Sequence, residues 1–167
     1  WVAFLFSGTI GLNRSFMLEK ENGCLMGLIL VPADRTAIYF GKLISNFVFL
    51  SIMELFILPL FMIFFNIDLL AHLLPLLLVI FLGTLGFCAL GTLLSSLASN
   101  LKTREIMLPI LLYPLLVPIV IGVVRMTGQV LAGEPLSEMM NWIGLTASFD
   151  IIYIGVSIMT IDHILEE

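Results

Sequence analysis

The sequence predicts an all-α bundle that crosses a membrane several times, on three observations. Apolar residues make up 60% of the chain and charged residues 11%, and mean hydropathy is +1.17, whereas soluble domains carry about 25% charged residues. Several apolar runs exceed the roughly 20 residues that a helix rising about 1.5 Å per residue needs to cross a hydrocarbon core about 30 Å thick. These runs also lack the strict alternation of barrel strands, the other structure that satisfies its own backbone in lipid. The expectation is one transmembrane domain, residues 1–167, with four complete spans and one partial span at its start.

Trp1 to Leu12 is apolar with no basic region ahead of it, so it reads as the back half of a truncated transmembrane helix and not as a signal peptide. Asn13 to Asp34 is polar and mixed: charged residues precede an apolar half-helix that Pro32 ends, because proline does not continue a helix comfortably. This pattern suits a short amphipathic element at the membrane surface, and a re-entry elbow and a docking surface both fit it. The next spans are expected from Thr36 to Phe65 and from Leu69 to Ala98, followed by the basic stretch Asn100 to Arg104. Ile106 to Val124 forms another span, which Pro109, Pro114 and Pro118 should kink. A polar loop, Arg125 to Asn141, then leads to the last span, Trp142 to about Ile161.

Six of the seven basic residues, Arg14, Lys20, Arg35, Lys42, Lys102 and Arg104, fall in or beside two loops separated by an even number of spans. The two loops therefore share a side, and the excess of Lys and Arg makes it cytoplasmic. Asn66 to His72 and Arg125 to Asn141 face outward. The net charge of −5 carries little weight here, since Asp and Glu contribute little to orientation.

Within the last span Thr146, Asp150, Tyr153, Ser157 and Thr160 recur at i, i+4, i+7, i+11 and i+14, one stripe of a helix, which should face protein or water, while Ile154 should face lipid. Interhelical hydrogen bonding and a substrate or proton path both account for such a stripe. Asn46 and Glu54 share a face of the Thr36 to Phe65 helix, again with packing and functional readings open. The rows Thr84-Cys88-Thr92-Ser96 and Gly91-Ser95-Ser99 read as a seam for close helix approach. Cys24 and Cys88 form no CxxC pattern, and His72 and His163 belong to opposite sides, so no disulfide, metal site or covalent haem attachment is expected. The chain has no GxxxxGK[ST] loop, so any nucleotide hydrolysis belongs to a partner.

The segment Glu19 to Arg35, closing on Gly41-Lys42, resembles the cytoplasmic loop of ABC-2-type permeases, in which a coupling helix meets the ATPase subunit. More closely, Trp1-Val2-Ala3-Phe4, Leu12-Asn13-Arg14-Ser15-Phe16, Glu21-Asn22-Gly23-Cys24-Leu25, Leu30-Val31-Pro32 and Gly41-Lys42-Leu43 resemble the haem exporter protein B family of cytochrome c maturation. Gly83-Thr84-Leu85-Gly86-Phe87, Gly91-Thr92-Leu93-Leu94-Ser95 and Arg104 through Pro118 extend the likeness over nearly the whole chain. Met26 stands where typical members carry Glu.

The resemblance implies an ABC-2-like permease of six spans, of which the first and half of the second precede this sequence. It implies a bacterial inner membrane, in preference to the mitochondrial one, and a non-catalytic subunit working with a cytoplasmic ABC ATPase, a haem-handling membrane subunit and a periplasmic haem chaperone. ATP enters through the partner, its hydrolysis driving haem delivery or release of the haem-loaded chaperone, with haem one candidate cargo of the complex; no cofactor is assigned to this chain, which meets lipid but no nucleic acid. Glu19, Glu21, Gly23, Leu25, Pro32 and Arg35, in a coupling segment of about residues 13–35, are the expected ATPase contacts. Asn46, Glu54, Asp150 and Tyr153 are the intramembrane polar candidates. The rival functions are an ABC-2 exporter of a drug, lipid or polysaccharide, an intramembrane enzyme using Glu54 and Asp150 as an acid/base pair, and a passive scaffold.

Overall fold

The computed structural model describes the backbone of residues 1–21, 35–65, 72–98 and 104–164. Five helices account for these residues: α1 (Val2–Glu21), α2 (Arg35–Phe65), α3 (Leu73–Ala98), α4 (Arg104–Leu131) and α5 (Leu136–Ile164). Four of them contain apolar stretches long enough to cross a membrane, Thr36–Phe65, Leu73–Ala98, Ile106–Leu131 and Leu136–Thr160. The chain is a multi-pass α-helical membrane protein. Successive helices run in alternating directions. The indole of Trp1 bonds to Thr127 near the end of α4, and the ring of His72, before α3, lies 3.8 Å from where a Cβ on Gly133 would stand, beyond α4. Arg14 and the helix starts at Arg35 and Arg104 then belong to the opposite end.

α3 is the axis of the bundle and touches each of the other four helices. From Gly83 to Ser95 it is buried on every face except at Leu85. Such burial requires small residues, because lipid does not drive apolar helices together and close packing must do so. Gly83 lies under Trp1 and Val123, Gly91 under Leu12, and Gly86 under Asp150 and Ile119. Of the expected seam, Thr84, Cys88, Gly91, Thr92 and Ser95 are buried and Ser96 is half-buried, while Ser99 lies outside the described residues.

α1 supplies Phe4, Gly8 and Leu12 to α3, with Phe4 edge-on to Phe87 at 5.5 Å. The helix continues through Glu21, so Asn13 to Glu21, expected in a polar and mixed segment, prolongs the first helix. The remainder of the expected amphipathic element, and with it Gly23, Leu25 and Pro32, lies outside the described residues. Glu19, Glu21 and Arg35 are described in backbone only. The third helix begins at Leu73 after a 3₁₀ residue at His72, and Leu69 to Ala71 also fall outside the described residues.

The largest departure concerns Arg125 to Asn141. The sequence suggests a long polar loop, but α4 runs to Leu131 and α5 starts at Leu136, leaving four connecting residues. The physical reason is periodicity. Leu108, Leu112, Leu116, Ile119, Val123, Met126 and Val130 are all buried, and their spacing of three and four carries one apolar stripe past Arg125. On α5 the buried stripe, at helical spacing and mostly polar, runs from Met139 through Thr146, Asp150, Tyr153 and Ser157. The turn is built by Gly133 at φ +74°, with Gly133 N–H donating to Val130 O (3.1 Å) and Glu134 N–H to Gln129 O (3.0 Å). This is the Schellman arrangement, which stops a helix at a residue that tolerates left-handed backbone, and Pro135 follows at once.

Of the polar stripe on α5, Thr146, Asp150, Tyr153 and Ser157 are buried and Thr160 is half-buried. Ile154, expected to face lipid, is also half-buried and packs on the core; Ile151 and Met159, 72% and 79% exposed, are the outward residues. The sidedness gives a first testable result. A cysteine at Ser137, exposed at the start of α5, should be labelled by an impermeant reagent outside intact cells. One at Asn22 should be protected, and the opposite pattern would invert the topology.

Candidate functional site

The polar candidates gather on α3 from two directions. On α2 the buried stripe is Tyr39, Leu43, Asn46, Leu50 and Glu54, a narrow helical face in which two of five side chains are hydrogen-bonding amide or carboxylate groups. Both meet threonines of α3. Asn46 Nδ2 donates to Thr92 Oγ1 at 3.0 Å, and the Thr84 hydroxyl donates to Glu54 Oε1 at 2.7 Å. Tyr39 adds a 3.0 Å bond from its hydroxyl to the Ala89 carbonyl. These contacts satisfy polar atoms that lipid would leave without partners.

Glu54 retains one unsatisfied oxygen: Oε2 is buried without a hydrogen-bond partner. Glu54 also lines a groove of about 130 Å³ with Trp1, Phe4, Leu58, Phe61 and Leu76.

Asp150 approaches α3 from the α5 side. It is 2% exposed, and neither carboxylate oxygen has a hydrogen-bond partner. Its Oδ1 fills the space a side chain on Gly86 would need, so the carboxyl lies directly on the α3 backbone, beside Ile119 of α4. One turn further, the Tyr153 hydroxyl donates to the Leu115 carbonyl at 2.5 Å. That partner lies in a proline-rich stretch of α4. Pro118 has no N–H for the Pro114 carbonyl and crowds that turn, and the Leu115 carbonyl, next in the chain, is the one the tyrosine reaches. Pro109, Pro114 and Pro118 nevertheless lie inside one continuous helix.

The four intramembrane candidates therefore split into two sites. Asn46 and Glu54 bond to Thr92 and Thr84, whereas Asp150 and Tyr153 meet Gly86 and Leu115. Thr84 and Gly86 are two residues, roughly 200°, apart around α3, so the central helix separates Glu54 from Asp150. Asp150 is absent from the groove that Glu54 lines. This geometry offers no shared cavity in which the two acids could act on one substrate. Among the described residues no three His, Cys, Asp or Glu side chains group as metal ligands, and Cys88 is buried in α3 as a free thiol.

Sequence reasoning missed the partners more than the candidates. A signal for one pair was present: Asn46 and Glu54 are eight residues apart, as are Thr84 and Thr92, and antiparallel neighbours place the first of one row against the last of the other. The Trp1–Thr127 bond (2.9 Å) and the seat of Asp150 on Gly86 had no such signal.

Comparison with known proteins bears on the chain as a whole. It is similar to heme exporter protein B of Rhodobacter capsulatus, with 30% identity over 121 residues, covering 72% of this chain and 55% of that relative. The chain thus spans about half the length of the curated relative. No solved structure matches it. The CcmB protein family matches residues 1–166, nearly every position of the sequence, and the chain belongs to that family.

Proposed function

We propose that this chain is the membrane permease subunit of an ABC-type complex of cytochrome c maturation in a bacterial inner membrane. It couples ATP hydrolysis by a separate cytoplasmic subunit to haem delivery, or to release of the haem-loaded periplasmic chaperone. The family match across residues 1–166 carries this reading, and the name of the Rhodobacter capsulatus relative agrees with it. Its membrane partners are a haem-handling subunit and the chaperone, and its own part is mechanical. A bundle packed around one central helix is suited to that part, because the helices that reach the basic, inner end also carry the buried contacts of the outer half.

The ATPase contact in this proposal is the segment from Glu19 to Arg35, at the basic end of the bundle. A docking element presents a defined surface to a groove on its partner, so bulk and charge at the contact matter more than hydrophobicity. Gly23 offers close backbone approach and Glu21 the nearest carboxylate, with Glu19, Leu25, Pro32 and Arg35 flanking them. In the full-length protein, Gly23→Trp and Glu21→Lys should each lower recovery of the co-purified ATPase, or its stimulated hydrolysis, by about tenfold, with membrane insertion intact. If both variants keep the partner and its full stimulation, the segment is only an interfacial elbow. The contact would then be sought at Asn100 to Glu105.

A further inference from the structure

The hydrogen bonds between helices are unevenly placed. α2 and α3 are joined at three levels, by Tyr39 to Ala89, Asn46 to Thr92 and Thr84 to Glu54. α5 is joined to α4 by Tyr153 at Leu115, and the two close on each other where Gly122 leaves room for the Thr146 methyl. Between Val79 and Ser95, no side-chain hydrogen bond among the described residues crosses from α3 to α4 or α5, although α3 packs on these two most extensively. The distribution follows from the sequence of α3. At about 100° per residue, Thr84, Cys88, Thr92 and Ser95 fall within roughly 80° of one another, on the side of α2. Val79, Gly83, Gly86, Leu90 and Leu93 take the far side, where Gly83 meets Val123 and Gly86 meets Ile119 and Asp150. The polar stripe of α5 does not bridge this surface. Thr146 and Ser157 donate to carbonyls of their own helix, and Asp150 faces α3 with neither oxygen bonded. Tyr39 of α2 approaches Ser157 of α5, but its proton is given to Ala89 and that of Ser157 to Tyr153, so none is left between the two oxygens.

We propose that α2 with α3, and α4 with α5, form two rigid pairs, and that the apolar face of α3 is the plane along which one pair slides past the other. Hydrogen bonds are directional and fix the register of the helices they join. Apolar faces are held by packing of side-chain ridges that repeat every turn, so seats one turn apart offer similar contacts. Such interfaces pass between discrete arrangements and do not deform continuously, and one-turn shifts of roughly 5 Å are among the known steps. Two features of this plane favour sliding. Gly83 and Gly86 present no side chain to obstruct it, and the unbonded carboxyl of Asp150 raises the energy of the register seen here. The permease reading supplies the use of the movement, transmission of force across the membrane. The division into pairs is a property of the chain alone and is tested without the ATPase.

The test uses the full-length protein in nanodiscs. Nitroxides are carried on p-acetylphenylalanine at the exposed positions Ile44 of α2, Leu74 of α3, Ile110 of α4 and Met140 of α5. Ile44 and Ile110 lie toward the inner ends of their helices, Leu74 and Met140 toward the outer ends, so axial sliding changes the distance between an inner and an outer label. Pulsed electron paramagnetic resonance should find one population for Ile44–Leu74 and for Ile110–Met140, each within a pair. It should find two for Ile44–Met140 and for Ile110–Leu74, separated by up to roughly 5 Å. These two distances should change in opposite senses, since outward movement of one pair lengthens the first and shortens the second. A disulfide between Gly83→Cys and Val123→Cys, which ties α3 to α4, should leave one population everywhere and release the second on reduction. One between Gly122→Cys and Thr146→Cys lies within a pair, with Cβ positions 3.8 Å apart, about the mean for a disulfide, and should leave both populations in place. Both variants carry Cys24→Ser. A single population in all four distances of the uncross-linked protein would overturn the proposal, whether or not either disulfide variant folds. So would a second population within a pair, a change of the same sense in both crossing distances, or persistence of two populations under the bond between positions 83 and 123.

Discussion

Gly86→Ala should lower the thermal stability of the bundle, whereas Gly144→Ala should leave it unchanged or raise it. Both glycines lie inside helices, and there the exchange favours Ala by about 1 kcal/mol through backbone entropy alone. Space decides the sign. Around Gly144 a new methyl meets nothing within 4 Å; on Gly86 it would overlap Asp150 Oδ1 and Ile119 Cδ1 at once. Ile119 and Asp150 are each 2% exposed, so both side chains would have to shift within packed surroundings. Overpacking of this kind costs about 1–3 kcal/mol, enough to outweigh the propensity gain. Thermal denaturation of the two variants side by side is the measurement, and equal stability would show that Asp150 is not held on Gly86. Shortening the intruding partner, as in the pair Gly86→Ala with Asp150→Ser, should restore part of the loss, a coupling that a double-mutant cycle reads directly.

The second large effect is expected at Asp150 itself, and it separates stability from function. A buried polar group without a partner costs about 1–3 kcal/mol, and its replacement by an apolar group of the same shape is neutral or stabilising. Leu has the same branching and the same number of side-chain heavy atoms as Asp. Asp150→Leu should therefore unfold at the wild-type temperature or above it. An intramembrane carboxylate that the bundle does not use for a hydrogen bond is a candidate for function. Under the proposed role, the same variant should lose coupled activity by about tenfold or more, read as yield of c-type cytochrome in cells that depend on the protein. Ile151→Ala, on the outward face, should change neither quantity. Full activity in Asp150→Leu would reduce the carboxylate to a space filler. A marked loss of stability would mean that it finds a hydrogen-bond donor in the assembled protein.

The spans were legible in the sequence because a run of apolar residues longer than a bilayer is thick has few other uses. The burial of Asn46, Glu54, Asp150 and Tyr153 was legible from helical spacing, since each falls on the one stripe its helix buries. Two boundaries were missed because composition was read ahead of period. Asn13 to Glu21 and Arg125 to Asn141 look polar, yet the second carries Met126, Val130 and Met139 on an unbroken buried stripe. The pairing of α2 with α3 could have been found from the matching eight-residue spacings. The seat of Asp150 could not. It depends on how far α5 is rotated about its own axis when it meets α3, a choice made by all the side chains between them and by the missing Cβ of Gly86.

The bond between Thr84 and Glu54 has a consequence in time. Thirty residues separate donor from acceptor, and the carboxyl is made first. With synthesis proceeding at about 5–20 residues per second, Glu54 is completed roughly 2–6 s before the hydroxyl that will hold it. Asn46 waits longer, for Thr92, forty-six residues on. During that interval α2 presents an amide and a carboxyl to the bilayer, or to the insertion machinery, without the partners they have in the finished bundle. Those two groups gain their partners only once the third helix has emerged. Any slowing of translation between residues 55 and 83 should be felt as lost yield before it is felt as lost activity.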